Sequence, residues 1–517
     1  MHCDSFLYTG QQSRDADAIA INGLGIPGIH LMKNAGRAAF GLLRCKFPDA
    51  SKIGIVCGNG NNAGDGYIVA GLALQQGLST FLVQVDNADA LKGDAALARD
   101  WATTAGVKVY TFHDQGSLSE LQHCDVIVDA MLGTGISGAV RTNFQTCIDT
   151  LNSGDVPVLA IDLPSGLNPD TGNVEGSVVR ADCSISFIVR KRGLYSAEGP
   201  ACSGEVHFDT LGLPQKALGE RMLKAGISGV RVLDWKNLAS DVPCRAYAAN
   251  TSKNTYGHVL IVGGDVGMGG AVCLAAQAAL RCGAGLVSVV TRSVHVGGIL
   301  ARQPELMVLG MDEAESWGPE KTARLKALLK RCSTVVIGPG LGIRDWGQSL
   351  LKMVLQHNKP TVLDADALNI LATKPALVTQ FASNSARILT PHPGEAGRLL
   401  GISSKKVQAD RFNSIATLSR LHACDVILKG AGSLVCSKGN DTGLCMHGNA
   451  GMATAGMGDI LSGVAGAFLG FGMPVSKAAR AAVCFHSAAA DLTVEREGIA
   501  GLVASDVLPG LRELINR

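Results

Sequence analysis

The sequence predicts an α/β protein with two domains in series, each built on a mostly parallel sheet with helices on both faces. With 517 residues, the chain is too long for one typical hydrophobic core. Short β-rich runs alternate with helical patterns through most of it, which is the pattern of βαβ units. This rhythm stops between Leu213 and Thr255, where prolines and small and charged residues are frequent. We therefore expect a first domain at 1–220, a linker at 221–249 and a second domain at 250–517.

The predicted elements follow from the spacing of apolar residues. Residues 1–45 are expected to be helical with a loop, because apolar side chains recur there at helical intervals. Strands of the first domain are predicted at Ile53–Cys57, Thr80–Val85, Val107–Thr111, Val126–Asp129, Val158–Ile161 and Ser184–Val189. A helix is predicted at Tyr67–Gln76, and the linker holds a short strand at Val230–Leu233. Strands of the second domain are predicted at His258–Val262, Leu286–Val290, Thr334–Ile337, Thr361–Leu363, Arg387–Leu389 and Val426–Leu428.

The composition excludes several classes of function. Lys and Arg total 46 against 44 Asp and Glu, and aromatic residues are 4%, so neither nucleic acid nor an anionic membrane is an expected partner. The 15 cysteines show no CxxC and no zinc spacing, which is typical of buried thiols in a reducing compartment. The apolar stretch Ile460–Val475 is shorter than a membrane span and is interpreted as a buried helix. We expect a cytoplasmic protein, and the sequence leaves a homo-oligomer open.

Three polar loops follow predicted strands of the first domain. Ile53–Cys57 runs into the glycine-rich turn Gly58–Gly66, Val126–Asp129 runs into Gly133-Thr134-Gly135, and a third strand ends at Asp162–Gly166. In a doubly wound sheet the carboxyl ends of neighbouring strands converge on one crevice. The amide, carboxylate and hydroxyl groups of these loops could hold a hard cation and supply one acid or base. The alternatives are a tight asparagine-rich loop and a turn aspartate at Asp162.

In the second domain, one acidic residue follows a glycine-rich turn. Asp459 stands in NAGMATAGMGDILSG, Asn449–Gly463, ahead of an apolar run. A helix that starts at such a turn suits a phosphate, because it offers unpaired N–H groups and the positive end of its dipole. A carboxylate there is better explained as the base that deprotonates a hydroxyl attacking that phosphate. The alternative is a solvated N-cap.

Two further segments at strand ends support this interpretation. His392 lies between two prolines, and it is either aimed at a ligand or a loop histidine bonded locally. Lys429 precedes Gly-Ala-Gly-Ser, where it could reach phosphate oxygens or remain a solvated strand-end lysine.

The first domain resembles the NAD(P)H-hydrate epimerase family over residues 1–215. The shared motifs are LMKNAG (Leu31–Gly36), GNGNNAGDG (Gly58–Gly66), DAMLGTG (Asp129–Gly135) and DLPSGL (Asp162–Leu167). The resemblance implies a Rossmann-like three-layer fold that interconverts the R and S forms of hydrated NADH and NADPH (NADHX and NADPHX). It implies a potassium ion at Asn62, Asp129 and Ser165. It implies substrate contacts at Asn61, Asn62, Ala63, Gly64, Asp65, Gly133, Thr134, Gly135, Ile136, Ser137, Gly138, Ala139 and Asp162.

Epimerisation at the hydroxyl-bearing carbon of the hydrate requires one carboxyl group that donates a proton and then regains it. Our candidate for this group is Asp162. The sequence departs from the family pattern at Ala63, where glycine is usual, and at Lys33, where glutamate is frequent. The methyl group of Ala63 would lie beside the ligand, so the departure bears on the epimerase rate.

From about residue 250 to the end, the chain resembles the NAD(P)H-hydrate dehydratase family, which has a ribokinase-like three-layer α/β fold. The motifs are YGHVLIVGG, GMGGA, GAGLV, GPGLG, DADALN, TPHPGE, KGAGS and NAGMATAGMGDILSG. The resemblance implies contacts to the hydrated nucleotide from Ala271, Gly340, Gly342 and His392. It implies contacts to an adenine nucleotide from Lys429, Gly430, Ala431, Gly432, Ser433 and Gly458, with Asp459 catalytic at the substrate hydroxyl. ADP is the expected co-substrate and magnesium its charge partner.

Two other functions remain open from the residues alone. A kinase of a small alcohol or vitamin would use the same glycine–aspartate turn, because kinases share the hydroxyl-deprotonating step. The first domain could also be a binding module without catalysis, although it keeps Asp65, Asp129 and Asp162.

Overall fold

A computed structural model describes residues 5–114, 116–136, 138–243, 252–313, 317–380, 386–439 and 441–517. The chain divides into two compact units, Met1–Arg231 and Val232–Arg517. The division falls inside the segment 221–249 that we predict as a linker.

The strands of the first unit are β1 (Phe6–Tyr8), β2 (Lys52–Cys57), β3 (Ser79–Gln84), β4 (Lys108–Thr111), β5 (Val126–Ala130), β6 (Val158–Ile161), β7 (Cys183–Phe187), β8 (Arg190–Lys191) and β9 (Glu205–Asp209). Seven of them form a parallel sheet with the order β4-β3-β2-β5-β6-β7-β9. The short strand β1 lies outside this sheet and pairs in parallel with β8. The central strands are buried, as strands covered by helices on both faces must be.

The helices of the first unit are α1 (Gly10–Ala18), α2 (Gly28–Lys46), α3 (Asn61–Gln75), α4 (Gly93–Thr104), α5 (Ser117–Leu121), α6 (Thr142–Ser153), α7 (Gly199–Cys202) and α8 (Gln215–Lys224). The predicted start of α3 is wrong by six residues, because Asn61–Gly66 already forms its first turns after the N-cap residue Gly60. The N-cap residue of α1 is Thr9, whose hydroxyl accepts from the Gln12 N–H in a capping box. Strand β1 lacks a periodic signal of its own and the sequence analysis missed it.

Strand β10 (Val230–Leu233) coincides with its prediction and pairs antiparallel with β1. The strands of the second unit are β11 (His258–Val262), β12 (Leu286–Thr291), β13 (Met307–Gly310), β14 (Thr334–Ile337), β15 (Thr361–Leu363), β16 (Arg387–Leu389), β17 (Asp425–Leu428), β18 (Leu434–Ser437) and β19 (Asp441–Cys445). They are ordered β13-β12-β11-β14-β15-β16-β17-β18-β19, parallel as far as β17 and antiparallel from there.

The helices of the second unit are α9 (Trp235–Leu238), α10 (Gly269–Arg281), α11 (Val296–Arg302), α12 (Gly318–Arg331), α13 (Asp345–Leu355), α14 (Ala365–Thr373), α15 (Pro393–Leu400), α16 (Ser404–Ala409), α17 (Arg411–His422), α18 (Met457–Gly470), α19 (Val475–Glu497) and α20 (Val507–Ile515). Helices α10 and α19 contribute mostly small residues to the core, which lets them pack closely. The apolar stretch after Asp459 is the buried helix that we predict. In the described ranges, no helix is long and apolar enough to cross a membrane.

The predicted fold class, two α/β units with parallel sheets, is confirmed. The predicted strands all exist, and their ends agree within one or two residues.

Candidate functional sites

The first unit contains a cavity of about 480 Å³ at the carboxyl edge of its sheet. Eight expected substrate residues line it: Asn61, Asn62, Asp65, Gly133, Thr134, Gly135, Ile136 and Asp162. They come from the first turns of α3 and from the loops after β5 and β6, as the convergence of strand ends predicts.

Other expected substrate residues do not line this cavity. Ala63 is fully buried in the hydrophobic core, so its methyl group is not beside a ligand as we expected. Gly64 packs on Met32, whose sulfur would lie 2.6 Å from an added Cβ. Gly138 and Ala139 are exposed, and Ser137 lies outside the described residues.

The three expected potassium ligands meet at one corner of this site. Asp129 is fully buried after β5, and its carboxylate accepts from Ser165 Oγ at 2.6 Å and from the Ser165 N–H at 2.8 Å. Asn62 donates through Nδ2 to the Leu132 carbonyl at 3.3 Å, while its buried Oδ1 has no hydrogen-bond partner among the residues with described positions. Burial raises the pKa of Asp129 to about 6. A buried carboxylate and an unsatisfied amide oxygen are what a bound cation would satisfy.

Asp162 is held in an unusual position. Its backbone has φ 66°, a left-handed conformation that is uncommon for a residue with a Cβ. Its carboxylate forms an ion pair with Lys191 of β8, whose side chain is only 2% exposed and whose ammonium also donates to the Phe187 carbonyl at 2.9 Å. The sequence analysis missed Lys191, because no motif marks the two-residue strand that carries it.

Asp17 and Arg14 on α1 also line the cavity, and the sequence analysis missed both. Arg14 donates to the Thr134 carbonyl at 2.7 Å, which attaches α1 to the loop after β5. Burial raises the pKa of Asp17 to about 6 and raises that of Asp65 well above its usual value. Helical spacing shows only which face of α1 is apolar, so it gives no sign that these polar residues reach the crevice.

In the second unit, strand register aligns the polar segments of the sheet. Val262 pairs with Ile337, Ile337 with Leu363, and Leu363 with Leu389, so β11, β14, β15 and β16 end side by side. The residues that follow these ends share the carboxyl edge of the sheet.

An ion pair crosses this edge between β15 and β17. Lys429 Nζ lies 2.7 Å from Asp364 Oδ1 and 3.7 Å from Glu395 Oε2. Asp364 is 2% exposed, and its second oxygen accepts from Ser462 Oγ of α18 at 2.7 Å. Although burial lowers the pKa of Lys429, these carboxylates outweigh that effect and raise it. The lysine is therefore not the free strand-end residue of the alternative interpretation.

Asp459 lies in the first turn of α18, three residues after the N-cap Gly456. It is therefore not the N-cap that the alternative interpretation proposes. It has no hydrogen bond or ion pair among the residues that the structure describes. Burial, and next the negative charge of Asp364, raise the pKa of Asp459 to about 7. A partly buried carboxyl with such a pKa suits proton transfer near neutrality.

The glycine candidates of the second unit adjoin different residues of the site. Gly458 adjoins the ion pair, because a Cβ added there would lie 3.3 Å from Lys429 Nζ. Gly340 adjoins Ala271, since an added Cβ would lie 3.4 Å from the Ala271 Cβ, and the Gly342 N–H donates to Asp366.

The turn after β17 carries Gly430, Ala431, Gly432 and Ser433. The Ser433 hydroxyl donates to the Gly430 carbonyl at 3.0 Å. Beneath the turn lies Arg411, which is fully buried and donates to the carbonyls of Leu428, Lys429 and Gly432, each at 3.3 Å. The sequence analysis missed Arg411, since a buried arginine inside a helical pattern carries no motif.

His392 caps α15 rather than standing free. Its Nδ1 accepts from the Gly394 N–H at 2.9 Å, while its own N–H donates to Glu395 Oε2 at 2.8 Å. Burial, and next the charge of Lys429, lower the pKa of His392. The ring is half exposed, and its Nε2 lies 3.4 Å from Glu395 Oε1.

Groups of three or more His, Cys, Asp or Glu residues with metal-binding geometry do not occur within the described part of the chain. Of the cysteines described, most are buried free thiols, as we expected, and Cys45 is exposed.

Comparison with known proteins assigns a family to each unit. Residues 28–193 match the protein-family model described as YjeF-related protein N-terminus, and residues 259–511 match the one described as NAD(P)H-hydrate dehydratase. A bifunctional NAD(P)H-hydrate repair enzyme from Coxiella burnetii is 43% identical over 99% of this chain and 99% of its own length. Its Escherichia coli counterpart is 38% identical over 97% of this chain and 92% of its own length. An ADP/ATP-dependent NAD(P)H-hydrate dehydratase from Bacillus subtilis, crystallised with ATP and Mg²⁺, is 25% identical with a TM-score of 0.46, covering 55% of this chain and 98% of that one.

Proposed function

The chain belongs to the family of bifunctional NAD(P)H-hydrate repair enzymes, and from this membership we propose how its two units divide the work. It is both an isomerase and a lyase that act on small-molecule substrates. The first unit interconverts R and S NADHX and NADPHX. The second dehydrates the S form to NADH or NADPH at the expense of ADP, giving AMP and phosphate. The observation that carries the second assignment is the position of Asp459 in the first turn of α18, beside the Lys429–Asp364 pair and without a hydrogen-bond or ion-pair partner in the described part of the chain.

The second unit converts the substrate hydroxyl into a better leaving group by phosphorylating it. Asp459 takes the proton of the substrate hydroxyl, and the oxygen attacks the terminal phosphorus of ADP while the bond to AMP breaks. The C–O bond then breaks with its electrons on phosphate, pushed by the ring nitrogen. Loss of a proton from the adjacent carbon restores the dihydronicotinamide. The N–H groups at the start of α18 and the Lys429 ammonium stabilise negative charge on the transferred phosphoryl group.

The nucleotide requires a turn with accessible N–H groups and a cation near its phosphates. The N–H groups would come from the turn Gly430–Ser433 and from Gly458. Lys429 would supply part of the positive charge near the phosphates. Magnesium, when bound, neutralises phosphate charge, and it would be held mainly through the nucleotide with at most one or two carboxylates. The absence of a three-residue acidic or histidine cluster among the described residues agrees with that mode.

The first unit needs a proton donor and acceptor beside the nicotinamide ring, and Asp162 fills this role in the cavity. Potassium would be held by Asn62, Asp129 and Ser165, where the unsatisfied amide oxygen of Asn62 and the buried Asp129 carboxylate fit a cation. Its charge would stabilise the two loops that form the mouth of the cavity.

One assay tests both halves. Purified protein is mixed with both epimers of NADHX, potassium, magnesium and either ADP or ATP, and the return of reduced-nicotinamide absorbance is followed. Recovery beyond the S fraction, faster than spontaneous epimerisation, reports the first unit, and AMP formation identifies ADP as the donor. A stable phosphorylated product of a vitamin or sugar, without any recovery of NADH, would instead support the kinase alternative.

A further inference from the structure

Four carboxyl groups line the cavity of the first unit, those of Asp17, Asp65, Asp94 and Asp162, and of these we consider Asp17 and Asp162 as a pair. Asp162 follows β6 at the sheet edge, and Asp17 extends from α1 on the cavity wall. The epimerisation that we propose for this cavity needs a proton given on one side of the ring and a proton taken on the other. The roles in proton transfer that we infer for these two groups rest on that proposed function.

Their surroundings separate them chemically. Asp162 is ion-paired with the buried Lys191, so its carboxylate has a positively charged partner. Asp17 is half-buried and has no hydrogen bond or ion pair within the described ranges. Two carboxyl groups whose environments differ in this way form an acid and base pair.

We propose that Asp17 is a catalytic acid of the epimerase and that Asp162 is its partner base. Asp17 gives its proton to the substrate hydroxyl, the C–O bond breaks with both electrons on oxygen, and water leaves as the ring nitrogen forms a C=N bond. A second water adds to the opposite face of that carbon, and its proton goes to the Asp162 carboxylate. The reverse direction uses the same groups with their roles exchanged, and water is the only co-reactant.

The electrostatics agree with this assignment. The pKa of Asp17 is raised to about 6, mainly by burial, with Lys191 opposing the shift and Asp162 adding to it. A group with that pKa holds a proton in a useful fraction of molecules near neutrality and can release it. The titratable and charged groups that face Asp17 or share its cavity are Arg14, Asp65, Asp94, Asp162 and Lys191.

The experiment uses the full-length chain, because its second unit reports on the first. With mixed NADHX epimers and excess ADP, NADH forms in a fast phase from the S fraction and a slow phase limited by epimerisation. We expect Asp17→Asn to leave the fast phase unchanged and to slow the second phase by at least roughly 100-fold or down to the spontaneous rate. Asp15→Asn is the matched control, since Asp15 lies on the same helix, its side chain accepts from Gln11, and it is not among the described residues that line the cavity.

Two further measurements separate catalysis from a structural role. Asp17→Glu, which keeps a carboxyl group, should recover part of the slow-phase rate. The wild-type slow-phase rate should fall as pH rises through about 6, where Asp17 loses its proton, and this limb should disappear in Asp17→Asn. An Asp17→Asn slow phase within threefold of wild type overturns the inference. A wild-type slow phase no faster than spontaneous epimerisation overturns the proposed epimerase itself.

Discussion

Lys429 Nζ lies 2.7 Å from Asp364 Oδ1, and the other oxygen of that carboxylate accepts from Ser462 on α18. The strand-end lysine and the helix that carries Asp459 are thus joined through one buried carboxylate. This arrangement fixes where a phosphate could lie relative to the proposed base.

Asp459→Asn should lower the dehydration rate by at least about 100-fold, because the amide cannot take the hydroxyl proton. ADP affinity should change little, since the proposed partner of Asp459 is the substrate hydroxyl and not the nucleotide. The rate is measured with (S)-NADHX and ADP, and the affinity by titration calorimetry. Asp345→Asn is a matched control, since Asp345 is also an aspartate in the first turn of a helix, but an exposed one. An active Asp459→Asn enzyme would exclude the proposed base.

The pH dependence of dehydration should follow Asp459. Since the base must be ionised and its pKa is raised to about 7, kcat/KM should fall as pH drops below about 7. Asp364 is a large contributor to that shift after burial, so Asp364→Asn should move the acidic limb to lower pH. Glu395→Gln should move the acidic limb in the same direction, by a smaller amount than Asp364→Asn. A limb that stays in place in Asp364→Asn would assign the titration to another group.

Potassium should stimulate the epimerase through the amide oxygen of Asn62. Asn62→Ala removes an unsatisfied buried oxygen, so the concentration of potassium needed for half-stimulation should rise by roughly tenfold. The measurement is a potassium titration of the slow phase with choline as the replacement cation. The fast phase of the same variant is the control, and equal potassium sensitivity in wild type and variant would place the ion elsewhere.

The origin of the phosphate oxygen should distinguish dehydration from hydrolysis of ADP. If the C–O bond breaks after phosphorylation, phosphate made from pure S epimer in heavy-oxygen water should contain no solvent oxygen. Phosphate made from the R epimer should contain one solvent atom, because water adds during epimerisation. Mass spectrometry of the phosphate measures both. Heavy oxygen in the S-derived phosphate would indicate direct attack of water on ADP.

Gly456 should tolerate no side chain at the start of α18. Its φ is 89°, and an added Cβ would lie 2.6 Å from Leu274 Cδ1, so Gly456→Ala should shift the first turn of the helix. We expect the dehydration rate to fall at least roughly tenfold with the slow-phase epimerase rate retained. Gly298→Ala is the control, because an added Cβ there meets nothing within 4 Å. Equal rates for the two variants would contradict the proposed role of this turn.

The sequence predicts thirteen of the nineteen strands that the structure describes and the edge at which each site lies, because hydrophobic runs and glycine-rich turns act locally. Both catalytic candidates of the sequence analysis, Asp162 and Asp459, come from such turns. Asp17 and Lys191 could not be found in this way, since α1 and the two-residue β8 reach the cavity only through tertiary packing. The same limit explains Ala63, whose position in a turn motif suggests a ligand contact although its side chain faces the core. The domain limits 1–220 and 250–517 and the roles of the individual site residues remain predictions.

The guanidinium of Arg411 has a consequence for how the nucleotide enters. It donates to the carbonyls of Leu428, Lys429 and Gly432 from inside the molecule, so three hydrogen bonds hold the loop over which ADP would lie before the nucleotide binds. The loop therefore loses its conformational entropy when the protein folds and not when ADP binds. ADP should then bind rapidly, with no slow conformational change after the first encounter.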